Sequence, residues 1–399
     1  MEEVVVIDAV RTPIGRYNGV LKDVRPDDLG AHVLRSLKER NPSLPLDEVE
    51  EVIFGNANGA GEDNRNVARM STLLGGYPVE TAATTLNRLC GSGLDAVTYA
   101  ARAIMAGQGD IMIAGGTESM TRAPYVMGKP DKSFKRGAQQ LQDTTIGWRF
   151  TNPLMEEMYG TDSMPETAQN VADLYQISRS DQDVFAYQSQ MRAKEAMTSG
   201  RLNEEISPVT IHGHKGETHE VTEDEHPRPN TSIEKLSNLS SLFTDGSITA
   251  GNASGINDGA SAVILMSRKK AESLGFEPLA SYVTSATAGV EPRIMGIGPI
   301  KATQKALKRA NMTVDDLDLI ELNEAFAAQS LACIRELKLD QDKVNVNGGA
   351  IAYGHPLGAS GAKILTTLLH EMKKRDSKCG LATMCIGVGQ GISMIVERN

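Results

Sequence analysis

An internal repeat constrains this chain more than any other feature of its sequence. Residues 37–53 and 307–321 each show the end of a helix, then an acidic turn, then an apolar strand. Both halves also carry a glycine-rich turn that opens a helix, at residues 90–93 and 354–358, followed by an apolar strand that ends in glycines. Such self-similarity predicts a duplicated domain, and the alternation of short strands with helices predicts parallel α/β layers. The predicted strands and helices of the first half cover residues 4–7, 52–54 and 111–114, and residues 29–40 and 94–106.

Residues of about 121–250 differ in character from the two halves, because they are rich in Met, Pro and polar side chains. We interpret them as an insertion that forms a lid or substrate-facing subdomain. A helix is predicted at residues 179–199, and the polar stretch at 210–231 is typical of an exposed hairpin or loop. The predicted domains are a first half at 1–120, completed by about 256–277, an insertion at 121–255 and a second half at 278–399.

Charge and cysteine content narrow the function classes. The 399 residues carry 41 basic and 51 acidic side chains, a net charge of −10, so no global attraction draws the chain to nucleic-acid phosphates. Four scattered cysteines are too few for a disulfide framework, which favours a reducing compartment. The amino terminus lacks a basic signal-peptide region, and no apolar run approaches the ~20 residues of a membrane span. We therefore expect a cytoplasmic protein that binds neither nucleic acid nor membranes.

Cys90 is the first candidate for catalysis. It lies in a glycine-rich turn directly before an amphipathic run that begins at Leu94, and therefore at the amino terminus of a predicted helix. Unpaired N–H groups and the positive end of the helix dipole favour a thiolate there, while the glycines let a substrate carbonyl approach the backbone. The alternative is an inert cysteine at a tight turn.

The second half supplies three more candidates. His355 occupies the equivalent turn, where an imidazole can take a thiol proton or donate to an oxyanion, with helix capping as the alternative. Cys385 ends a strand and enters glycines that expose backbone N–H groups, although a lone cysteine there would most often be a core residue. Asn323 ends the repeat strand, where its amide could hold a water against a substrate oxygen or cap a helix. Ser254 gives a weaker signal, in a stretch too rich in turn-forming residues to be only a linker.

Metal and nucleotide sites find little support. Four histidines fall in the polar stretch, but the charged residues between them favour a solvated hairpin. Residues 387–391 lack the glycine spacing and the following acid of a dinucleotide site, and residues 358–363 lack phosphate-loop spacing. We expect no metal and no permanently bound cofactor. The histidines are His212, His214, His219 and His226, and the charged residues are Lys215, Glu217, Glu220, Glu223 and Asp224.

The motifs around Cys90, Asn323, His355 and Cys385 together resemble those of the thiolase family. They occur in family order, and the similarity extends from residues 4–13 to the last strand. The resemblance implies a five-layered αβαβα core of two duplicated βαβαβαββ halves, with an inserted loop domain that binds coenzyme A. It also implies a homodimer or homotetramer that takes coenzyme A and acyl-CoA as substrates.

The resemblance further implies a role for each motif. Cys90 would be the nucleophile that becomes acylated, His355 would activate it, and Cys385 would shuttle a proton to and from the α-carbon. Asn323 would hold a water that forms one oxyanion hole with His355, and the N–H groups of Cys90 and Gly387 would form the other. The implied contacts to coenzyme A come from Ser254, Ala250, Phe243, Arg228, Ser163, Met164, Ala325 and Phe326.

The chemistry of these residues agrees with cleavage of a 3-oxoacyl thioester. That reaction needs a soft nucleophile for the ketone and an enolate that is stabilised beside a proton donor. A cysteine hydrolase would need Cys90 and His355 but not Cys385, so the second thiol favours carbon–carbon chemistry. A ketoacyl synthase would be expected to carry a histidine or asparagine where Cys385 stands.

Two segments of the insertion bear on the substrate. Residues 143–150 and 159–168 resemble the 3-oxoadipyl-CoA thiolases of aromatic-compound degradation, and Ser163 replaces the histidine of the acetoacetyl-CoA branch. The resemblance implies a dicarboxylic acyl chain, and we hypothesise that Arg149 pairs with its distal carboxylate. The alternatives are an acetoacetyl-CoA thiolase, a general fatty 3-oxoacyl-CoA thiolase, and a thiolase-like acyl-CoA-binding protein without turnover.

Overall fold

A computed structural model describes residues 2–213 and 216–398 of the chain. Its strands are β1 Val4–Arg11, β2 Gly15–Arg16, β3 Glu51–Gly55, β4 Ala82–Leu86, β5 Ile111–Ser119, β6 Tyr125–Val126, β7 Gln142–Asp143, β8 Val209–His212, β9 Thr218–Val221, β10 Asn257–Ser267, β11 Ala280–Gly289, β12 Leu319–Leu322, β13 Cys379–Ile386 and β14 Gln390–Glu397. Its helices are α1 Pro26–Arg40, α2 Val67–Leu74, α3 Ser92–Met105, α4 Pro153–Tyr159, α5 Met164–Leu174, α6 Arg179–Thr198, α7 Ile233–Ser237, α8 Arg268–Leu274, α9 Gly298–Ala310, α10 Ala327–Leu337, α11 Ala350–Tyr353 and α12 Leu357–Arg375.

The strands of both halves join in one sheet. Within the described residues its order is β12-β13-β14-β11-β1-β10-β5-β3-β4, with β2 paired to β10. Outward from the centre of the sheet, the first half runs β1-β10-β5-β3, with two antiparallel pairings followed by a parallel one. The second half runs β11-β14-β13-β12, with the same sequence of pairing directions. The predicted duplication is therefore confirmed.

The two halves differ at the outer edge and meet through a short contact. The outermost strand of the first half is β4, which pairs with β3 in parallel. At the corresponding edge of the second half, β12 makes only one parallel bridge among the described residues, between Ile320 and Val344. Between the halves, β1 and β11 pair only through Val5 with Ser281 and Val6 with Ala280. Such a short pairing lets the two half-sheets turn around the helices between them.

Helices α3 and α12 form the middle layer. Leu94, Val97, Ala101 and Ile104 recur at helical spacing on α3, and all four are fully buried together with residues of α12 and of both half-sheets. Helices α1 and α2 cover the outer face of the first half, and α9 covers that of the second. The layers therefore follow the predicted αβαβα order. Truncating one of the leucines in the middle layer to Ala would cost about 2–5 kcal/mol of stability.

Residues 120–256 connect β5 to β10 and form the insertion. The predicted helix at 179–199 is α6, Arg179–Thr198, whose first turn is capped by the Ser178 side chain, which accepts from the N–H of Asp181. In the predicted polar stretch, β8 and β9 form an antiparallel hairpin. Of that stretch, His214 and Lys215 lie outside the described residues.

The hairpin is less solvated than its composition indicated. Val209, Ile211 and Val221 are buried against the first half. Asp224, which we counted among the solvated charges, is only 5% exposed and accepts two bonds from the Arg11 guanidinium, at 2.7 and 2.9 Å. The composition of a local stretch could not show this contact, because the two residues are 213 positions apart. The expectation of a solvated Asp224 is therefore wrong.

Two further features concern the described residues as a whole. None of the helices described here is both long enough and apolar enough to cross a membrane. Within residues 2–213 and 216–398, no three His, Cys, Asp or Glu side chains are grouped so that they could hold a metal ion.

Candidate active site

A cavity of about 330 Å³ lies where the loops after β3 and β5 approach the turn after β13. Cys90 and Gly387, which the sequence placed in separate motifs, both line it. Residues 144–149 of the insertion form one of its walls, and Met164 from the start of α5 also lines it. The fold therefore brings a thiol, backbone N–H groups and the insertion to one site.

A tight turn holds Cys90 at the start of α3. The hydroxyl of Ser92 donates to the carbonyl of Leu89 at 2.6 Å and accepts from the N–H of Arg88 at 2.8 Å. Burial raises the pKa of the Cys90 thiol to about 11, although the N–H groups of Gly387 and of Cys90 itself act in the opposite direction. Burial thus outweighs the backbone donors, and the resting side chain is a neutral thiol that needs a base before it can attack.

His355 lies in the turn directly before α12. Its Nδ1 lies 2.6 Å from the Ser360 hydroxyl, which itself donates to the carbonyl of Pro356 at 2.8 Å. Because the hydroxyl proton is already used, Nδ1 carries the ring proton and Nε2 keeps a lone pair. Among the described residues Nε2 has no hydrogen-bond partner, and burial together with nearby Lys363 lowers the pKa of the imidazole to about 3. The ring is therefore neutral, with a free acceptor nitrogen.

Asn323 contacts the same imidazole. Its Nδ2 lies 3.5 Å from Nδ1 of His355, and its backbone N–H donates to Thr383 in β13 at 3.0 Å. The Asn323 Oδ1 is buried and has no hydrogen-bond partner in the part of the chain that the structure describes. Buried polar atoms left without a partner favour binding of a polar ligand atom or a water.

Cys385 is 1% exposed at the end of β13. Burial raises the pKa of its thiol well above the usual range, and the Cys90 thiol is close enough to raise it further. Both thiols are therefore protonated at rest, and that of Cys90 lies at the cavity wall. Such a pair suits one nucleophile and one proton donor.

The backbone on both sides of the cavity is strained. Leu89, directly before Cys90, has a φ of 46°, and Val388, directly after Gly387, has a φ of 62°. A left-handed conformation is uncommon for residues other than glycine, and it is a genuine outlier for a β-branched residue such as Val. Strain of this kind persists only where the surrounding structure holds it and is often found at functional sites. Nothing in the sequence indicated it.

The residues expected to bind coenzyme A do not lie together. Four of them belong to the insertion and lie at or beside two cavities: Ser163, Met164, Arg228 and Ala250. Met164 lines the Cys90 cavity, and Ser163 precedes it with its N–H bonded to Glu166 at 2.6 Å. Arg228 and Ala250 line a second cavity, of about 360 Å³, which Arg16 and Lys235 also border. The second cavity is therefore basic, as a phosphate-bearing ligand requires.

The remaining predicted contacts link the insertion to the second half. The N–H of Ser254 donates to the carbonyl of Ala325 at 2.9 Å, and Ala253 forms a backbone bridge with Phe326. Phe243 is half-buried against the core of the second half. These residues lie outside the lining of either cavity.

Glu118, at the end of β5, is a site residue that sequence reasoning missed. It lines the Cys90 cavity while only 2% exposed, and it accepts the N–H groups of Ala57 and Gly358, both at 2.8 Å. Burial, and then the nearby Asp63 carboxylate, raise its pKa to about 7. It ties the loop after β3 to the first turn of α12. Its signal was an acidic residue inside an apolar strand.

Comparison with known families matches both halves of this chain. Thiolase, N-terminal domain, matches residues 4–269, and Thiolase, C-terminal domain, matches residues 276–398. The chain belongs to the thiolase family. The resemblance of its motifs is thereby confirmed, and so is the assignment of the protein as an acyltransferase enzyme.

Individual thiolases match over the whole length. The 3-oxoadipyl-CoA/3-oxo-5,6-dehydrosuberyl-CoA thiolase of Escherichia coli (strain K12) is 58% identical over 401 residues, which cover 100% of each chain. A beta-ketoadipyl-CoA thiolase of Pseudomonas aeruginosa is 57% identical over 399 residues, which cover 99% of each chain. The crystal structure of the Bacillus anthracis acetyl-CoA acetyltransferase is similar with a TM-score of 0.94 at 40% identity, covering 100% of this chain and 99% of that one.

Proposed function

We propose that the protein catalyses the reversible, coenzyme A-dependent cleavage of 3-oxoadipyl-CoA to acetyl-CoA and succinyl-CoA. The observation that carries the proposal is the meeting of motifs from the two halves, with Cys90 and Gly387 at one cavity. Within the second half, Asn323 Nδ2 lies 3.5 Å from His355 Nδ1. The names of the 58% and 57% identical relatives support this acyl chain.

The first step transfers the acyl group to Cys90. Nε2 of His355 takes the thiol proton, and the sulfur attacks the 3-oxo carbon of the substrate. The bond between the α and β carbons then breaks, leaving a succinyl thioester on Cys90 and the enolate of acetyl-CoA. A base is needed because the raised pKa of Cys90 keeps its thiol protonated. A preformed thiolate could attack without one.

Cys385 completes the first half-reaction by giving its thiol proton to the α-carbon of the enolate, which yields acetyl-CoA. In the second half-reaction the Cys385 thiolate takes the proton of the coenzyme A thiol, whose sulfur attacks the succinyl thioester, and succinyl-CoA leaves as Cys90 recovers its proton from His355. Condensation runs through the same steps in reverse. Both thiols are protonated at rest, so Cys385 begins the cycle with the proton that it gives to the α-carbon, whereas Cys90 must first lose its proton to His355.

Two sets of donors would stabilise the developing negative charge. The N–H groups of Cys90 and Gly387 would bind the oxyanion formed at the attacked carbon. Asn323, through a water, and His355 would bind the enolate oxygen of the thioester. The unpartnered Asn323 Oδ1 and His355 Nε2 support this second assignment, because both atoms are buried and available to a ligand.

We also propose that coenzyme A spans both cavities, with its reactive end at Cys90 and its phosphates at the basic second cavity near Arg228. The acting form would be a cytoplasmic homodimer or homotetramer, in line with the resemblance of the motifs and with the four free thiols. Light scattering of the purified protein measures the assembly, and a monomer would contradict this part of the proposal.

The experiment that tests the function compares kcat/KM for 3-oxoadipyl-CoA, acetoacetyl-CoA and a medium-chain 3-oxoacyl-CoA, each with coenzyme A. We expect 3-oxoadipyl-CoA to be preferred by tenfold or more, which is about 1.4 kcal/mol in transition-state binding. A preference for acetoacetyl-CoA would instead identify an acetyl-CoA acetyltransferase. Cleavage of none of the three would support an acyl-CoA-binding protein without turnover.

A further inference from the structure

Arg149 lines the same cavity as Cys90. Arg149 is half-buried at the end of the wall formed by residues 144–149. Among the residues that the structure describes, it takes part in no ion pair. Three other arginines near the site are each bound to a carboxylate: Arg88 to Asp95, Arg122 to Glu62 and Arg293 to Asp162. Arg149 therefore differs from these three arginines in having no carboxylate partner among the described residues.

Asn58 holds the guanidinium in place. The Arg149 Nη2 donates to Asn58 Oδ1 at 3.3 Å, while Asn58 Nδ2 donates to the carbonyl and the hydroxyl oxygen of Thr144, at 3.2 and 3.0 Å. Because the Thr144 hydroxyl proton goes to Pro124 at 2.6 Å, that hydroxyl can only accept from Asn58. The orientation of the Asn58 amide is thus determined, and its oxygen faces Arg149.

The core of the first half supports this arrangement. The backbone N–H of Asn58 donates to Glu118 Oε1 at 3.3 Å, and Glu118 is itself held by two further N–H groups. Arg149 is thus connected through Asn58 to the buried end of β5. A side chain held in this way loses little conformational freedom when a ligand binds, which favours specific recognition.

The free donors of Arg149 indicate what the cavity accepts. A guanidinium has five N–H groups in a planar fork, and one neutral acceptor uses only one of them. Much of the remaining lining is apolar, including Ala57, Met120, Trp148 and Leu357. Glu118 is the carboxyl group that also borders the cavity, but its oxygens are taken up by backbone N–H groups. A carboxylate brought in by the substrate would therefore meet a planar donor in an apolar setting, where a bidentate ion pair is strong.

We propose that Arg149 is a specificity-determining residue, whose guanidinium binds the terminal carboxylate of a dicarboxylic 3-oxoacyl-CoA while Cys90 attacks the 3-oxo carbon. This inference rests on the proposed thiolase function. It assigns the choice of acyl chain to one side chain of the insertion and leaves bond cleavage to the motifs of the core.

The test compares 3-oxoadipyl-CoA with 3-oxohexanoyl-CoA, because the two acyl chains have the same number of carbons and differ in their terminal group. In Arg149→Gln we expect kcat/KM for 3-oxoadipyl-CoA to fall about 100-fold while that for 3-oxohexanoyl-CoA stays within about threefold. Arg149→Lys keeps the charge but not the fork, and should lose about tenfold on 3-oxoadipyl-CoA alone. Asn58→Ala should also lower kcat/KM for 3-oxoadipyl-CoA, because it removes the acceptor that orients Arg149.

The control variant is Arg136→Gln, which removes the same charge from an exposed position of the same insertion and should change neither substrate. Turnover of 3-oxohexanoyl-CoA reports whether each variant is folded. Equal losses on both substrates in Arg149→Gln would make Arg149 a structural support and overturn the inference. An unchanged preference for 3-oxoadipyl-CoA would overturn it while leaving the thiolase function intact. If the unmodified protein cleaves neither substrate, the proposed function fails and the inference fails with it.

Discussion

The two halves of the core share a strand order but connect their last two strands very differently. In the first half, residues 120–256 lead from β5 to β10, whereas in the second half only Gly387, Val388 and Gly389 lead from β13 to β14. The long connection supplies a wall of the cavity, including Arg149, and the short one supplies the N–H of Gly387. One point of the duplicated fold therefore contributes a long cavity wall in one half and a short backbone turn in the other, and in the proposed mechanism these would serve substrate binding and oxyanion stabilisation respectively.

A second difference lies at the turns that open the two central helices. Cys90 precedes α3 and His355 precedes α12, at equivalent places in the repeat. Burial raises the pKa of Cys90 to about 11 and lowers that of His355 to about 3, so both groups are neutral in the resting protein. Equivalent turns thus carry a neutral thiol in one half and a neutral imidazole in the other.

Replacing Cys90 in the first half or Cys385 in the second should have the largest effects on activity, and the two effects should differ in kind. We expect Cys90→Ala to lower kcat by at least about 10⁴-fold, because no acyl thioester can form. Cys385→Ala should still become acylated by acetyl-CoA but should not cleave or form the carbon–carbon bond. Mass spectrometry of the acylated protein and a cleavage assay measure the two effects separately.

The control for the thiols is Cys379→Ala, at the start of β13, which should leave both acylation and cleavage in place. Normal turnover by Cys90→Ala or by Cys385→Ala would contradict the roles assigned to the two thiols.

The contact between Arg11 and Asp224 tests how firmly the insertion is attached to the first half. Asp224→Ala should lower the free energy of unfolding by about 3 kcal/mol, because it leaves the buried Arg11 with Glu205 as its remaining carboxylate partner. Arg335→Ala removes a pair with Asp181 in which both side chains are 44% exposed, and should cost less than about 1 kcal/mol. Urea denaturation measures both values, and equal losses would show that burial of the first pair has no effect.

Glu118 joins the halves, since it accepts N–H groups from Ala57 in the first and Gly358 in the second. Its pKa is raised from 4.5 to about 7, so the folded protein holds a proton that the unfolded chain releases between these values. Stability should therefore fall as pH rises from about 4.5 to about 7, by up to about 3 kcal/mol. Asp63, with a pKa raised to about 6, acts in the same direction.

Unfolding temperatures at pH 5 and pH 7.5 test this contribution. In Glu118→Gln the fall in stability across that interval should be smaller than in the unmodified protein, although Asp63 still contributes. Glu220→Gln, an exposed change of the same kind in β9, should not alter it. Parallel pH curves for Glu118→Gln and the unmodified protein would show that Glu118 is not the titrating group.

The smallest expected effect concerns the second-half turn. Ser360→Ala removes the acceptor for the Nδ1 proton of His355, so the ring can adopt the other tautomer. We expect kcat to fall about tenfold with little change in KM, whereas Ser360→Thr, which keeps the hydroxyl, should recover most of the loss. Steady-state kinetics of the two variants decide this, and an unaltered kcat in Ser360→Ala would mean that Ser360 does not select the tautomer.

Much of the site was predictable because its signals are local. The turn at Cys90, its counterpart at His355 and the glycines after Cys385 are each readable within about ten residues, and helix α6 begins at Arg179, as predicted. Signals that join distant residues were missed. Asp224 looked solvated because its partner Arg11 lies far away in the sequence.

The duplicated α/β order, the insertion and the set of candidate catalytic residues could be predicted from the sequence, because hydrophobic period, glycine positions and motif order are properties of short segments. The neutral forms of Cys90 and His355, and the place of Arg149 in the same cavity as Cys90, became visible in the folded structure. Protonation and pairing depend on burial and on neighbours from other parts of the chain, and these exist only once the chain has folded.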